Sequence, residues 1–380
     1  MSKSISKNSP KKEYDVIVVG AGPAGSTAAK KLAENGISTL LIDKEKFPRK
    51  KPCGGGLTQK IFKRFLYVEK TDVVEVESCK IIIYSSSFKE KAIFDKEDPI
   101  ISMTQRDRFD AKLVQYAIDY GADFFDKKSI GEVQIFPEEI QIELKEAGKI
   151  NAKLLIGADG VISTVARESR LFTKHRFIGV CVLEDIPLEN KIIKEYFTND
   201  YTCHIHHQIN NITGYGWVFP KKDSINVGIV DYISFGKKRN NLNQIFQTYL
   251  SFLKNQKIIP NTIKSKKTKG GILPFYPLEK TYTNHVILCG DAAGFINPLT
   301  GEGIYYAMTS GEIAAKISKK AIDNNDTSEE YLSKYEYEWK SDIGKEIRQM
   351  MQIAKSHGKE SKQFINLLTN NKQLLEKLFQ

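Results

Sequence analysis

Three glycines spaced Gly20-x-Gly22-x-x-Gly25, directly after the apolar run Val16 to Val19, can do what residues with a Cβ cannot. They let a backbone turn tightly, approach a pyrophosphate and pack a helix against a strand. Pro23 suits the first turn of a helix, Ala24, Ala28 and Leu32 recur at helical spacing, and Gly36 ends the run. Ser38 to Ile42 then reads as a second strand that delivers Asp43, eighteen residues after Gly25. That is close to the ~20 at which an acid accepts the ribose hydroxyls of a dinucleotide. The motif alone does not separate NAD from FAD.

Other stretches carry chemistry of their own. Gly157-Ala158-Asp159-Gly160 follows the apolar strand Leu154 to Ile156, and Gly290-Asp291-Ala292-Ala293 follows Val286 to Cys289. A carboxylate at a strand end can accept a hydrogen bond from a ligand hydroxyl, although Asp291 before two alanines would equally cap a helix. The turn from Pro298 to Gly303 precedes a helix whose first N–H groups would favour an anion. Between Lys44 and Gly56 lies a loop ending Cys53-Gly54-Gly55-Gly56, able to lie flat on a ligand, with Cys53 either a reactive thiol or an ordinary loop cysteine. Tyr215, Trp217 and Phe219 alternate and so share one strand face, as core or as the wall of an apolar site. His204 and His206 share a face too, but no third ligand follows by spacing and no metal is expected.

Three segments in this order, the first glycine motif, Gly157 to Gly160 with Ser163 and Arg167, and Gly290 to Ala293, resemble the FAD-binding fold of aromatic hydroxylases. Four shorter strings resemble the geranylgeranyl reductase family within it. They are Lys51-Pro-Cys53-Gly-Gly-Gly56, Arg106-Asp-Arg-Phe-Asp110, Tyr215-Gly-Trp-Val-Phe-Pro220 with Asn226-Val-Gly228, and Asn297-Pro-Leu-Thr-Gly-Glu-Gly303. The resemblance runs over residues 14 to 325; the remaining tail carries no matching motif and is short for the family.

The resemblance implies FAD as cofactor. Gly20, Gly22, Ala24 and Gly25 would meet its pyrophosphate, Asp43 and Lys44 its ribose, and Asp159 and Gly160 would border the nucleotide. Asp291 would hold a ribityl hydroxyl, with Pro298, Gly301, Gly303 and Ile304 beside the ring. Arg106, ahead of a helix from Arg108 to Tyr120, would contact the cofactor, Arg108 being its competitor, and Cys53, Gly54 and Gly55 would face the flavin. Gly56, Tyr215, Trp217, Phe219 and Pro220 would line a substrate wall, and Cys53, or a water held near Tyr215, would supply a proton. The implied activity is hydrogenation of the carbon-carbon double bonds of an isoprenoid chain on a lipid or diphosphate. A monooxygenase or halogenase would share the fold, and a flavin-bound sensor or interaction protein is the reading from another class. A second glycine motif is absent, so electrons would come from reduced ferredoxin, NAD(P)H or another visitor.

These residues need a large scaffold, and 380 residues suffice for two or three domains. The fold class expected is α/β: a Rossmann-like FAD-binding domain (14–77, 100–174, 280–325), an inserted antiparallel sheet domain for substrate (78–99, 175–279) and a helical C-terminal region (326–380), after a disordered lead (1–13). Strands are expected at Ile178 to Leu183, Ile192 to Phe197, Cys203 to Ile209, Gly214 to Phe219 and Ile225 to Val230. Five cysteines without a C-x-x-C pair point to a reducing, cytoplasmic setting. The net charge of +11 is lysine-borne without aromatic interleaving, which argues against a nucleic-acid partner and reads first as compositional bias, with a surface for anionic membrane as the alternative. Phe364, Leu367, Leu368, Leu374, Leu375 and Leu378, with Lys372 and Lys377, fit a peripheral helix on the inner face of a membrane or a helix packed on its own domain.

Overall fold

The computed structural model describes residues 9–145, 148–172, 178–209, 212–233, 240–357 and 360–379. The chain divides into two compact units, one of residues 1–49, 110–176 and 274–349, the other of 50–109, 177–273 and 350–380.

In the first unit, Glu13–Val19 lies at the middle of an eight-stranded sheet, parallel to Thr39–Ile42 on one side and to Gly148–Gly157 on the other. Asp123–Phe125 and Val286–Leu288 extend the parallel set. Strands covered on both faces read as unbroken apolar runs, and Val16, Ile17 and Val18 are fully buried. The register pairs Val19 with Ile42 and Gly157, and Gly157 with Leu288, so the loops that begin at Gly20, Asp43, Ala158 and Cys289 all leave from one edge of the sheet. Helix Pro23–Glu34 packs on Ile304–Asp323. A Cβ on Gly311 would sit 2.2 Å from the Ala24 carbonyl oxygen, so only glycine permits this approach.

The second unit holds a seven-stranded sheet ordered Lys269–Pro274, Ile178–Pro187, Ser224–Ile233, Tyr215–Pro220, Cys203–His207, Lys80–Tyr84, Lys91–Asp95, and a three-stranded sheet of Gly56–Thr58, Ile101–Met103 and Val76–Ser78. The larger sheet is antiparallel where expected, except that Cys203–His207 runs parallel to Lys80–Tyr84. Its core packs Val218, Ile225, Val227 and Ile229 against Phe246, Tyr249, Leu250 and Leu253 of helix Leu242–Asn255.

Several sequence expectations need correction. Ile192 to Phe197, expected as a strand, lies in helix Asn190–Phe197, because Ile193 and Phe197, four apart, bury one face completely. Arg106 does not precede its helix; it is the first residue of Arg106–Asp119. The unit boundaries also differ: 50–77 and 100–109 fall in the second unit because Gly56–Thr58 and Val76–Ser78 pair with Ile101–Met103. The helical tail is no region of its own. Tyr335 and Trp339 bond Leu288 and Thr281 in the first unit, whereas Ser361–Asn370 and Lys372–Phe379 join the second. Of the expected lead, residues 1–8 lie outside those described, and Lys11 and Lys12 already bond Tyr14 and Asn151.

Candidate functional site

The first unit gathers the dinucleotide residues at the common sheet edge. Gly20 has φ +100°, and a Cβ there would meet the Ala158 carbonyl oxygen at 2.3 Å; one on Gly25 would meet the Gly20 oxygen at 1.9 Å. Both glycines are demanded by the fold itself. Gly22 differs: a Cβ on it would meet only the Arg49 guanidinium, at 3.3 Å. Gly22 is the N-cap of Pro23–Glu34 and no side chain caps that end, so bare backbone and a positive helix terminus face one place. Ala24 turns its side chain to the Gly290 turn and its backbone carbonyl to Gly311.

Asp43 accepts the Ala21 amide at 2.8 Å and the Glu45 amide at 2.9 Å, joining the glycine turn to the second strand. Lys44 beside it is exposed. Sequence reasoning missed Arg49, whose Nη2 lies 3.0 Å from the fully buried Asp110 and whose Nε lies 3.8 Å from Asp43. The one arginine among the lysines of residues 44–51 was its only signal.

Asp159 turns out to be occupied by its own loop. One oxygen accepts the Ser163 hydroxyl at 2.5 Å, and the other accepts the amides of Thr164 and Val165 at 2.6 and 3.2 Å. Burial raises its pKa against those bonds. Gly160, at φ +83°, is open, with nothing near its Cβ position. Arg167 pairs with Glu168 at the surface.

Asp291 sits in the short turn Gly290–Ala292, and its Oδ1 is 3.7 Å from where a Cβ on Gly303 would stand. Gly303 is the N-cap of the twenty-residue helix Ile304–Asp323, again without a side-chain cap. The turn before it is shaped by Asn297, which accepts the amides of Leu299 and Thr300 and donates to the Tyr306 hydroxyl. Pro298 and Gly301, at φ +72°, lie within that turn, and Ile304 opens the helix.

In the second unit, the alternation of Tyr215–Pro220 sorts its side chains onto two faces. Gly216 and Val218 face the core: a Cβ on Gly216 would strike Ile209 and Tyr249, and Val218 is fully buried. Tyr215, Trp217 and Phe219 lie on the other face with successive ring separations of 5.9 and 6.4 Å. Gly54 lies against them, its Cβ position 2.9 Å from the Phe219 ring and 3.5 Å from the Trp217 Nε1. The Gly55 amide donates to the Cys53 Sγ at 3.4 Å, and Gly55 has φ +78°. Gly56 begins the strand paired with Met103, and Pro220 is buried opposite Ile225. Burial of the Tyr215 hydroxyl, with Cys181 and Cys53 nearby, pushes it well above the usual phenol range, so it stays protonated at neutral pH. Arg106 is buried in this unit, while exposed Arg108 bonds the Asp72 and Thr71 carbonyls.

His204 and His206 bond the hydroxyls of Tyr84 and Tyr249 at 3.2 and 2.6 Å. Among the described residues no group of three or more His, Cys, Asp or Glu could hold a metal ion.

Residues 13–341 match the FAD binding domain family. The chain is 32% identical over 349 residues to digeranylgeranylglycerophospholipid reductase 1 of Methanococcoides burtonii, covering 89% of this chain and 82% of that protein. It belongs to the geranylgeranyl reductase family of FAD-dependent oxidoreductases. A geranylgeranyl bacteriochlorophyll reductase-like protein from Thermoplasma acidophilum superimposes with a TM-score of 0.83 at 26% identity, over 94% of this chain and 92% of that one. A flavin-dependent brominase shares the fold alone, at 19% identity and a TM-score of 0.76 over 97% of this chain and 92% of that one. The cofactor of this geranylgeranyl reductase family member is FAD, and its first unit fits that group. Gly22 presents open backbone beside Arg49, and Gly303 presents an uncapped helix end beside Asp291.

Proposed function

We propose that this family member reduces carbon-carbon double bonds of geranylgeranyl chains carried on a lipid or a diphosphate. The observation that carries the reading is the aromatic face of Tyr215, Trp217 and Phe219, turned away from the core and floored by Gly54. An isoprenoid offers only methyls and alkenes, and a wall of rings over bare backbone suits it. The kinship with the archaeal lipid reductase, which extends over both units, supports the same substrate class.

FAD, once bound and reduced, supplies hydride. In the first unit Gly20, Gly22 and Gly25 would admit the pyrophosphate with Arg49 as counter-charge, Asp43 would take a ribose hydroxyl, and Asp291 a ribityl hydroxyl. Backbone at Gly160, Pro298, Gly301, Gly303 and Ile304 would border the cofactor, whereas the carboxylate of Asp159 serves its loop. In the second unit Cys53 is the proposed proton donor, with Tyr215 holding a proton nearby. Gly56 and Pro220 would shape the ends of the substrate wall. The electron donor is a visiting carrier, ferredoxin or NAD(P)H in kind.

Membrane association is proposed on substrate grounds alone. Phe364, Leu368, Leu374, Leu375 and Leu378 are buried within the second unit, Phe364 packing at a tilt on His207 at 4.6 Å, and only Leu367 is half-buried, so most of the expected interfacial face is already covered. The side chain of Lys372 lies outside the described residues. No described helix is long and apolar enough to cross a membrane. Anaerobic mixing of reduced enzyme with geranylgeranyl lipid tests the function: oxidation of the flavin by the unsaturated lipid, and none by its saturated counterpart, is expected. Equal behaviour with both lipids would remove the proposal.

A further inference from the structure

Lys221 follows the aromatic strand and is buried, its side chain only 2% exposed. Its Nζ lies 3.2 Å from the Gln105 Oε1 and 3.4 Å from the Asp185 Oδ1. The same atom stands 3.0 Å from the Cβ position of Gly55, a position that the Thr104 carbonyl oxygen also crowds at 2.2 Å. Asp185 Oδ1 also accepts the Asn226 side-chain amide at 2.8 Å. That amide reaches the Cys53 carbonyl at 3.3 Å, and the Asn226 Oδ1 accepts the Trp217 indole N–H at 2.7 Å. One chain of polar atoms, buried at Lys221, Asn226 and Trp217 and reaching solvent at Asp185, therefore touches the turn at Cys53 and Gly55 and the indole of the wall.

Burying an ammonium costs several kcal/mol; the Asp185 carboxylate is at the long end of bonding distance, and Glu75 adds a second negative charge that interacts with it. An unbranched apolar side chain would fill the same volume without that cost, so packing alone does not call for lysine here. What methionine could not do is hold Gln105 and Asp185 in place, and through Asp185 the Asn226 amide.

We propose that Lys221 is a positioning residue for the Cys53–Gly55 turn, acting as the post on which Gly55 rests and, through Asp185 and Asn226, setting the Cys53 carbonyl and the Trp217 indole. This rests on the reading that places Cys53 and Trp217 on the substrate side. Loosening the turn would displace the thiol relative to the wall, and misplacement on the ångström scale lowers turnover without removing the apolar surface that binds substrate.

The test uses FAD-loaded enzyme and iodoacetamide, with labelling of each cysteine followed by peptide mass spectrometry. Cys53 and Cys79 are both part-exposed cysteines of the second unit, so Cys79 reports general loosening. In Lys221→Met, Cys53 should label about fivefold faster or more, as a local opening would allow, while Cys79 keeps its wild-type rate. In the same variant kcat should fall about tenfold with KM little changed. Gln105→Leu, which removes one acceptor and leaves the ammonium on Asp185, should move Cys53 labelling in the same direction, and carries the test if Lys221→Met does not fold. Exposed Lys222→Met should behave as wild type. Unchanged Cys53 labelling in folded Lys221→Met and Gln105→Leu, or equal acceleration of Cys53 and Cys79, would overturn the proposal. Labelling needs no turnover, so a wild-type enzyme inactive on isoprenoids would sink the substrate reading while leaving the positioning result standing.

Discussion

At Asp43 one carboxylate would have two tasks in the proposed cofactor site. It already accepts the Ala21 and Glu45 amides, and a ribose hydroxyl would be an additional partner on the remaining lone pairs. Asp43→Ala should therefore weaken FAD retention by ~1.5 to 3 kcal/mol, the scale of a lost charged hydrogen bond, read by equilibrium dialysis of the flavin. Unaltered retention would free Asp43 of that role. Cys53→Ala makes a separable expectation: FAD bound as in wild type, but turnover on isoprenoid down ~100-fold if the thiol is the acid. Full activity of both Cys53→Ala and Cys53→Ser, with chemistry limiting, would move the acid elsewhere. The glycines were legible because their chemistry is positional, whereas Arg49 and Lys221 were not. No spacing rule marks a guanidinium that crosses to Asp110, or a lysine whose partners lie 36 and 116 residues away.

Among the elements, helices Pro23–Glu34 and Ile304–Asp323 depend on the absence of a side chain at Gly311. Gly311→Ala should destabilise by ~1 to 3 kcal/mol through overpacking and loosen flavin together with stability, since both helix ends would serve the proposed cofactor site. Urea unfolding of holo and apo protein would measure this; an unchanged midpoint would mean the crossing relaxes freely. The first strand, helix and second strand were readable because burial on both faces and glycine punctuation leave one solution. Asn190–Phe197 was not, because a β-branched pair followed by two aromatics imitates a strand. Only the contacts of Ile193 and Phe197 with the sheet decide for the helix.

For the molecule as a whole, the unit boundaries were hidden in pairings between distant segments, as when Gly56–Thr58 meets Ile101–Met103. The C-terminal helices show the same limit: their apolar periodicity was visible, but not that the second unit would bury it. Stability should also carry a pH signature. Burial lowers His204 and His207 from 6.5 to about 4, and His206 well below its ordinary value. The unfolded chain thus binds more protons than the folded one below pH 6.5, so stability is complete above that value and is lost as pH falls towards 4. Each histidine contributes a slope of up to ~1.4 kcal/mol per pH unit in that window. Urea midpoints between pH 7.5 and 4.5 should fall accordingly, and less steeply in His204→Gln; a flat profile would contradict neutral burial of these rings.

Reduction of an isoprenoid at a flavin changes product mass, which reads the reaction directly. Dithionite-reduced enzyme incubated without oxygen with a geranylgeranyl lipid or diphosphate should yield products heavier by about two daltons for each double bond saturated, one hydride and one proton being added. Substrate recovered at its original mass, from enzyme shown to hold reduced FAD, would contradict the account.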